Sequence, residues 1–138
     1  MTERATFSEG DQIAELRITP DKYLPHRYAG ASGDFNPIHI DNEFAQAVGL
    51  PRNILHGLWT MAQVARAHTD AGGGPESLKS LSVQFRGMGR MEEEITVTAS
   101  VAEVLEDGAA VVTAHAEQGG KKIIRGARAE LGATYHSQ

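Results

Sequence analysis

Residues 56–70 of this chain read HGLWTMAQVARAHTD, the longest stretch with a helical pattern. Apolar residues recur there at helical spacing, and four of them fall on one face: Leu58, Met61, Val64 and Ala65. Two more residues, Trp59 and Ala62, place further apolar surface beside that face. Because so wide an apolar surface needs cover on several sides, we expect a long and largely buried helix.

The residues after this helix predict a run of β-strands. Alternating and β-branched residues mark four segments, at residues 78–87, 94–105, 109–117 and 122–135. Glu106-Asp107-Gly108 and Gln118-Gly119-Gly120 are typical of hairpin turns between the later strands. One buried helix followed by antiparallel strands predicts an α+β fold in which the sheet wraps around the helix.

The residues before the long helix predict shorter elements. Residues 12–18 alternate enough to form a first strand. Thr19-Pro20-Asp21 then indicates the start of a helix that runs to about Ala31, with Thr as its cap and Pro in its first position. Asp41 is suited to cap another short helix over residues 42–48.

Between these two short helices, the segment Asp34-Phe35-Asn36-Pro37-Ile38-His39 places a carboxylate and an imidazole across an Asn-Pro turn. Pro37 fixes its own φ and pushes Asn36 towards extended conformations, so we expect an ordered loop. Such a loop can hold Asp34 and His39 on one side, within one water molecule of each other, as a general acid-base pair requires. Three apolar neighbours are expected to bury the carboxylate: Phe35, Ile38 and Ile40. Because these residue types are also common in turns, turn chemistry alone leaves a purely structural loop open.

A metal site is the weaker alternative for these residues. His39, Asp41 and His56 offer ligand atoms, but the sequence has no Cys and no His-x-x-x-His pair. We therefore predict neither a metal ion nor a cofactor.

The motif extends on both sides of the Asp-His segment. Residues 28–41 read YAGASGDFNPIHID, Ala45 and Gly49 follow, and residues 55–58 read LHGL. Together these residues resemble the hydratase 2 motif of the MaoC-like family, whose members are (R)-specific 2-enoyl-CoA hydratases and 3-hydroxyacyl-thioester dehydratases. The resemblance implies a hotdog fold, with the long helix inside the antiparallel sheet. It also implies a thioester substrate carried by coenzyme A or an acyl-carrier protein.

The resemblance also implies roles for individual residues. Asp34 and His39 would be the catalytic pair for hydration of a trans-2-enoyl thioester to the (3R)-3-hydroxyacyl product, or for the reverse dehydration. Gly57, at the start of the long helix, would donate its backbone N–H to the thioester oxygen, because helix N-termini favour negative charge. The alternative is that His56 and Gly57 simply cap the helix. Four residues would support the site: Asn36, Tyr28, Ser32 and His56.

The composition bounds the remaining possibilities. With 138 residues, 41% of them hydrophobic and 22% charged, we expect one globular domain over residues 1–138. A net charge of −5 argues against nucleic acid as a partner.

A local cluster of cations would suit coenzyme A phosphates or protect an edge strand: Lys121, Lys122, Arg125 and Arg128. The polar first ten residues do not resemble a signal peptide, no apolar run is long enough for a membrane span, and the absence of Cys is compatible with a cytoplasmic protein.

Other functions remain open at this point. A hotdog acyl-CoA thioesterase would also use Gly57, but it does not explain a His five positions after Asp34. A catalytic subunit of a heteromeric (3R)-hydroxyacyl-ACP dehydratase fits the intact pair, whereas a non-catalytic acyl-binding subunit would be expected to have lost one member. An isolated unit would leave apolar surface and half a binding tunnel exposed, so we expect a homodimer or a higher oligomer of dimers, with a heterodimer as the alternative. Acyl-chain length, carrier and direction are not defined by the sequence.

Overall fold

The computed structural model describes residues 2–4, 6–132 and 135–137, with side chains described for residues 6–13 and 15–132. Four helices occur in this part of the chain: α1 (Leu24–Ser32), α2 (Pro37–Ile40), α3 (Asn42–Ala47) and α4 (Gly57–Gly72). The strands are β1 (Thr2–Arg4), β2 (Gln12–Ile18), β3 (Leu78–Phe85), β4 (Ile95–Val104), β5 (Ala110–Gln118), β6 (Lys121–Leu131) and β7 (Tyr135–Ser137). A 3-10 turn over Pro75–Ser77 joins α4 to β3.

Five strands form one antiparallel sheet in the order β2-β4-β5-β6-β3, and β1 pairs separately with β7. The predicted strands are confirmed, except that β6 ends at Leu131 and Tyr135 belongs to β7; residues 133 and 134 lie outside the described residues. Both predicted hairpin turns are present. Positive φ angles at Gly119 (59°) and Gly120 (77°) match the tight two-residue turn that joins β5 to β6, since such a turn needs left-handed backbone at both positions.

Helix α4 contacts all five strands of this sheet, which confirms a sheet curved around a long helix. Its buried side chains lie on the face that meets the sheet: Thr60, Gln63, Val64, Ala67 and His68. The predicted apolar face is therefore right at Val64 and wrong at Leu58, which is 64% exposed. The sheet covers only one side of α4 in a single chain, and small or polar residues there allow it to approach closely. The more hydrophobic side of the helix is left partly open.

Helix α1 begins later than the sequence predicted. Its first residue is Leu24, and Pro25 lies in its first turn. Proline has no N–H to donate and clashes with the preceding turn of a helix, so Pro25 is compatible only with a helix start at this point. The Asp21 carboxylate accepts a hydrogen bond from the Tyr23 N–H at 2.8 Å, and it also accepts one from Arg27 at 3.1 Å. Asp21 thus closes a turn ahead of the helix.

Helix α4 carries a buried histidine. The His68 side chain is fully buried, and its Nδ1 donates a hydrogen bond to the Val64 carbonyl at 2.7 Å. Its Nε2 atom has no partner among the described residues. Burial lowers the pKa of His68 below 6.5, against the opposing effect of the bond to Val64, so His68 is neutral in the folded protein at neutral pH.

No helix in the described residues is long and apolar enough to cross a membrane.

Acidification is expected to destabilise the fold through His68. Between the ordinary pKa of the unfolded chain and the lower pKa of the folded one, only the unfolded chain binds the proton, so stability falls as the pH drops below about 6.5. The contribution of one group is at most about 1.4 kcal/mol per pH unit. Urea denaturation at about pH 7.5 and about pH 5.5 should show a smaller loss of stability for His68→Gln than for the wild type. His26→Gln changes an exposed histidine and serves as the control; an unaltered pH dependence in His68→Gln would contradict the prediction.

Candidate active site

The segment that carries His39 is a short helix rather than the loop that was expected. Pro37 occupies the first turn of α2, where its missing N–H costs nothing, and the Asn36 side chain caps the helix by accepting a hydrogen bond from the Ile38 N–H at 3.2 Å. The preceding residues do form a loop. There the Asp34 carboxylate accepts from the Asn36 N–H at 3.2 Å, and the Ser32 hydroxyl accepts from the Asp34 N–H at 3.1 Å. Asn36 and Ser32 therefore shape the backbone on either side of Asp34.

Asp34 and His39 lie close together, with 4.0 Å between Asp34 Oδ2 and His39 Nε2. The other ring nitrogen, His39 Nδ1, lies 2.9 Å from the Ile54 carbonyl oxygen. Because a carbonyl can only accept a hydrogen bond, this contact requires a proton on Nδ1, so that in the neutral ring Nε2 carries the lone pair on the side of Asp34. The neutral His39 ring is thus held in the form that can take a proton from a water molecule beside Asp34.

The burial of Asp34 differs from the expectation. The Asp34 side chain is 52% exposed, and the ring of Phe35, which was expected to cover it, is 59% exposed. Ile38 and Ile40 are half-buried. The turn of α2 directs His39 inwards and leaves Phe35 at the surface, so a single chain buries only one member of the pair.

His56 contacts both members of this pair. Its Nε2 donates a hydrogen bond to the main-chain carbonyl of Asp34 at 3.0 Å, and its ring stacks on that of His39 with the centroids 4.0 Å apart. The Tyr28 ring packs against the His56 ring, with 4.6 Å between the ring centroids. His56 occupies the cap position of α4 without a side-chain capping bond. Its side chain therefore organises the Asp-His pair instead of the helix end.

Asn53 is a site residue that the sequence did not indicate. Its side chain is buried, and Nδ2 donates a hydrogen bond to the His39 carbonyl at 2.8 Å. Its backbone N–H donates to the Asn42 side chain at 3.2 Å. Asn53 thus ties α2 and α3 to the segment that leads into α4. No pattern could have revealed it, since a single Asn between helices usually forms part of a turn.

Asn53→Ala is expected to cost about 1–3 kcal/mol of stability, because the His39 carbonyl loses a buried partner. Looser positioning of His39 should lower kcat more than it raises KM. Thermal denaturation measures the first effect, and steady-state turnover of an enoyl thioester, the substrate class that the motif implies, measures the second. Gln46→Ala is the matched control, since the Gln46 amide also donates to a backbone carbonyl, that of Pro51 at 3.2 Å, but lies at the surface. Equal effects of the two substitutions would contradict the role of Asn53.

Gly57 and His39 line the same cavity, which has a volume of about 150 Å³. Gly57 is the first residue of α4, and its N–H has no acceptor within the described residues. A Cβ atom at this position would lie 3.1 Å from the Phe85 ring, so the cavity depends on the missing side chain. The remaining walls are mostly apolar: Ile54, Leu55, Phe85, Met88, Ile123 and Ile124. An acyl group could lie against these walls with its polar end between Gly57 and His39.

The same region contains a group of potential metal ligands. Ligand atoms of Asp34, His39 and His56 lie within 4.8 Å of one another, whereas the Asp41 carboxylate caps α3 by accepting from the Phe44 N–H. However, the two imidazole rings stack with only 23° between their planes. The lone pairs of near-parallel rings do not converge on one point, as a metal ion requires. This arrangement suits proton transfer better than metal binding.

The antiparallel sheet around α4, with an Asp-His pair at the N-terminal end of that helix, defines a protein of the hotdog class. The chain belongs to the MaoC-like dehydratase family: the sequence model of this family, described as a MaoC like domain, matches residues 6–123. A relative from Arabidopsis thaliana, enoyl-CoA hydratase 2, peroxisomal, is 40% identical over 75 residues, which are 53% of this chain and 23% of that protein. The chain spans less than a third of the length of the curated relatives it matches.

Solved structures show the same fold. The (R)-hydratase from A. caviae involved in PHA biosynthesis superposes with a TM-score of 0.83 at 23% identity, covering 93% of this chain and 98% of that one. A chain of the ChsH1-ChsH2 complex from Mycobacterium tuberculosis superposes with a TM-score of 0.81 at 23% identity, covering 92% and 98%. The close superposition over nearly the whole of both chains establishes the hotdog architecture.

Proposed function

We propose that this chain catalyses the (R)-specific hydration of trans-2-enoyl-CoA to (3R)-3-hydroxyacyl-CoA, and the reverse dehydration. One observation carries the proposal. His39, with its free Nε2 facing Asp34, lines the same small cavity as Gly57, whose N–H is unpaired within the described residues. A proton acceptor and an oxyanion donor therefore meet in one apolar cavity, as addition of water to a conjugated thioester requires.

We assign each group a step in the proposed reaction. A water molecule held between His39 Nε2 and Asp34 Oδ2 bonds through its oxygen to Cβ as Nε2 takes one of its protons. Electrons of the double bond move onto the thioester oxygen, where the Gly57 N–H and the dipole of α4 stabilise the charge. Asp34 stabilises the imidazolium and shares in the transfer of the proton to Cα, so the pair ends with the protons it began with.

The active unit is proposed to contain two hotdog chains. Three apolar side chains near the cavity are exposed in the single chain: Leu58, Phe85 and Met88. A patch of this kind beside a half-exposed catalytic carboxylate suits cover by a second chain. The structural likeness to a chain of the ChsH1-ChsH2 complex supports a second candidate, in which this chain is the catalytic subunit of a heteromeric (3R)-hydroxyacyl-thioester dehydratase.

Crotonyl-CoA tests the proposal. We expect its conjugated-enoyl absorbance to disappear without release of free thiol, with (3R)-3-hydroxybutyryl-CoA as the product on a chiral column. Release of thiol would support a thioesterase instead. Activity that appears only after a second hotdog chain is added would identify the heteromeric enzyme, and the absence of any reaction with either preparation would overturn the proposed function.

A further inference from the structure

A second, larger groove lies on the outer face of the sheet, and it has no part in the reaction described above. Its volume is about 670 Å³, which is within the usual range for pockets that hold cofactors or small-molecule ligands. Side chains of four adjacent strands line it: Gln12, Thr98, Thr113, His115, Lys122 and Arg125. Successive residues of a strand face opposite sides of the sheet, and Val97 and Ala99, which flank Thr98, are in the core. The groove therefore faces away from α4.

Irregular strand pairing accompanies this groove. The register of β2 against β4 shifts between Gln12 and Ala14, and that of β5 against β6 shifts on either side of Ala116. Gly126, which follows Arg125 in β6, has a φ of 56°. Such bulges bend a strand and redirect its side chains, and they are frequent beside functional sites. Register shifts occur in all four strand pairs of the sheet, so its outer face is irregular, and residues at two of these shifts, Gln12 in β2 and Arg125 in β6, line the groove.

The lining of the groove is suited to anions. Lys122 and Arg125 are exposed, and neither side chain forms an ion pair or hydrogen bond with another residue of the described part of the chain. Thr98 Oγ1 lies 2.9 Å from His115 Nε2, so these side chains hold one another at the base of the groove. Two carboxylates share this face: Glu117 lies 3.6 Å from His115 Nε2 and opposite Lys122 in the neighbouring strand, and Glu15 lies opposite Thr98 and is paired with Arg17. Two unpaired cations in a protein of net charge −5 mark a local reversal of charge.

We propose that this outer groove binds the phosphate groups of a nucleotide. Lys122 and Arg125 supply the positive charge that phosphate oxygens require, and the Thr113 hydroxyl supplies a neutral donor. The groove is far larger than a single phosphate, so it has room for the nucleoside as well. The nucleotide is either that of the coenzyme A substrate or a free one; the shared chemistry is a phosphorylated nucleoside.

Calorimetric titration of the full chain with adenosine 3′,5′-bisphosphate, the nucleotide end of coenzyme A, and separately with ADP tests binding without any need for catalysis. We expect saturable binding of at least one of them and an increase in Kd of about tenfold or more in Arg125→Glu. Arg66→Glu is the matched control, since it makes the same change of charge on α4 at a cation paired with Asp70. The proposal is overturned if neither nucleotide binds the wild type, or if both substitutions weaken binding equally.

A kinetic comparison then identifies the source of the nucleotide, and only this part rests on the proposed function. If the groove holds the nucleotide of the substrate, Arg125→Glu should raise the ratio of the KM for crotonyl-CoA to the KM for crotonyl-pantetheine about tenfold, since pantetheine carries no nucleotide. If Arg125→Glu weakens nucleotide binding but the KM ratio stays at its wild-type value, the ligand is a free nucleotide. If neither thioester is hydrated, the proposed function fails while the binding result still stands.

Discussion

Asp34→Asn and His39→Gln are each expected to lower kcat/KM for crotonyl-CoA by about 10²–10⁴-fold, the usual contribution of a general acid or base. Asn retains the shape of Asp34 and its bond with the Asn36 N–H, but it cannot stabilise a protonated His39. Gln can still donate to the Ile54 carbonyl, but it offers no basic nitrogen to water. Steady-state assays with matched thermal denaturation curves separate lost chemistry from lost folding.

The double variant makes the test sharper. Because Asp34 and His39 are proposed to act on the same water molecule, the loss in Asp34→Asn/His39→Gln should be close to that of the worse single variant, far from the product of the two. Multiplied effects would show that the residues act independently and would contradict a shared water molecule. A substitution at the neighbouring Asp41, Asp41→Asn, is the control, since this carboxylate only caps α3.

Gly57→Ala is expected to reduce kcat by about 10²-fold, comparable to the loss of one oxyanion donor. The added Cβ would lie 3.1 Å from the Phe85 ring, in the space where the thioester must approach the Gly57 N–H. The main-chain donor would remain, but the substrate oxygen could not reach it. The kcat for crotonyl-CoA measures this effect.

Gly30→Ala is the matched control for Gly57→Ala. Gly30 lies in helix α1, and a Cβ at its position meets no atom within 4 Å. The substitution should therefore leave kcat at the wild-type value and may be used to correct for any general effect of adding a methyl group. A Gly57→Ala enzyme with wild-type kcat would exclude Gly57 from the path of the thioester.

The sequence anticipated the site better than the packing around it. Asp34, His39 and Gly57 lie in a motif that could be recognised as a string of residues, and the proximity of Asp34 and His39 follows from short-range turn and capping chemistry. Asn53 was missed because it reaches a carbonyl fourteen positions away, and that contact exists only once α2 and the segment before α4 have packed together.

The prediction of which side of α4 is buried was wrong for a different reason. Periodicity identified a helix with a wide apolar surface, but it could not say which side of that surface the sheet would cover. Polar side chains at Gln63 and His68 face the sheet, while Leu58 is exposed. Local patterns treat hydrophobicity as a guide to burial within one chain, and an apolar surface proposed to meet a second chain breaks that rule.

The polar groups proposed to act on the substrate all lie in one continuous stretch, from Asp34 to Gly57, between the first strand of the main sheet and its central helix. The sheet adds only apolar walls to that cavity, through residues such as Phe85, Ile123 and Ile124. Apart from Ile54 and Leu55, the apolar walls are thus encoded in a different part of the gene from the reacting groups. Mutations in the strands can reshape the space for the acyl group while the reacting groups stay in place, so one reaction can be adapted to many thioesters during evolution.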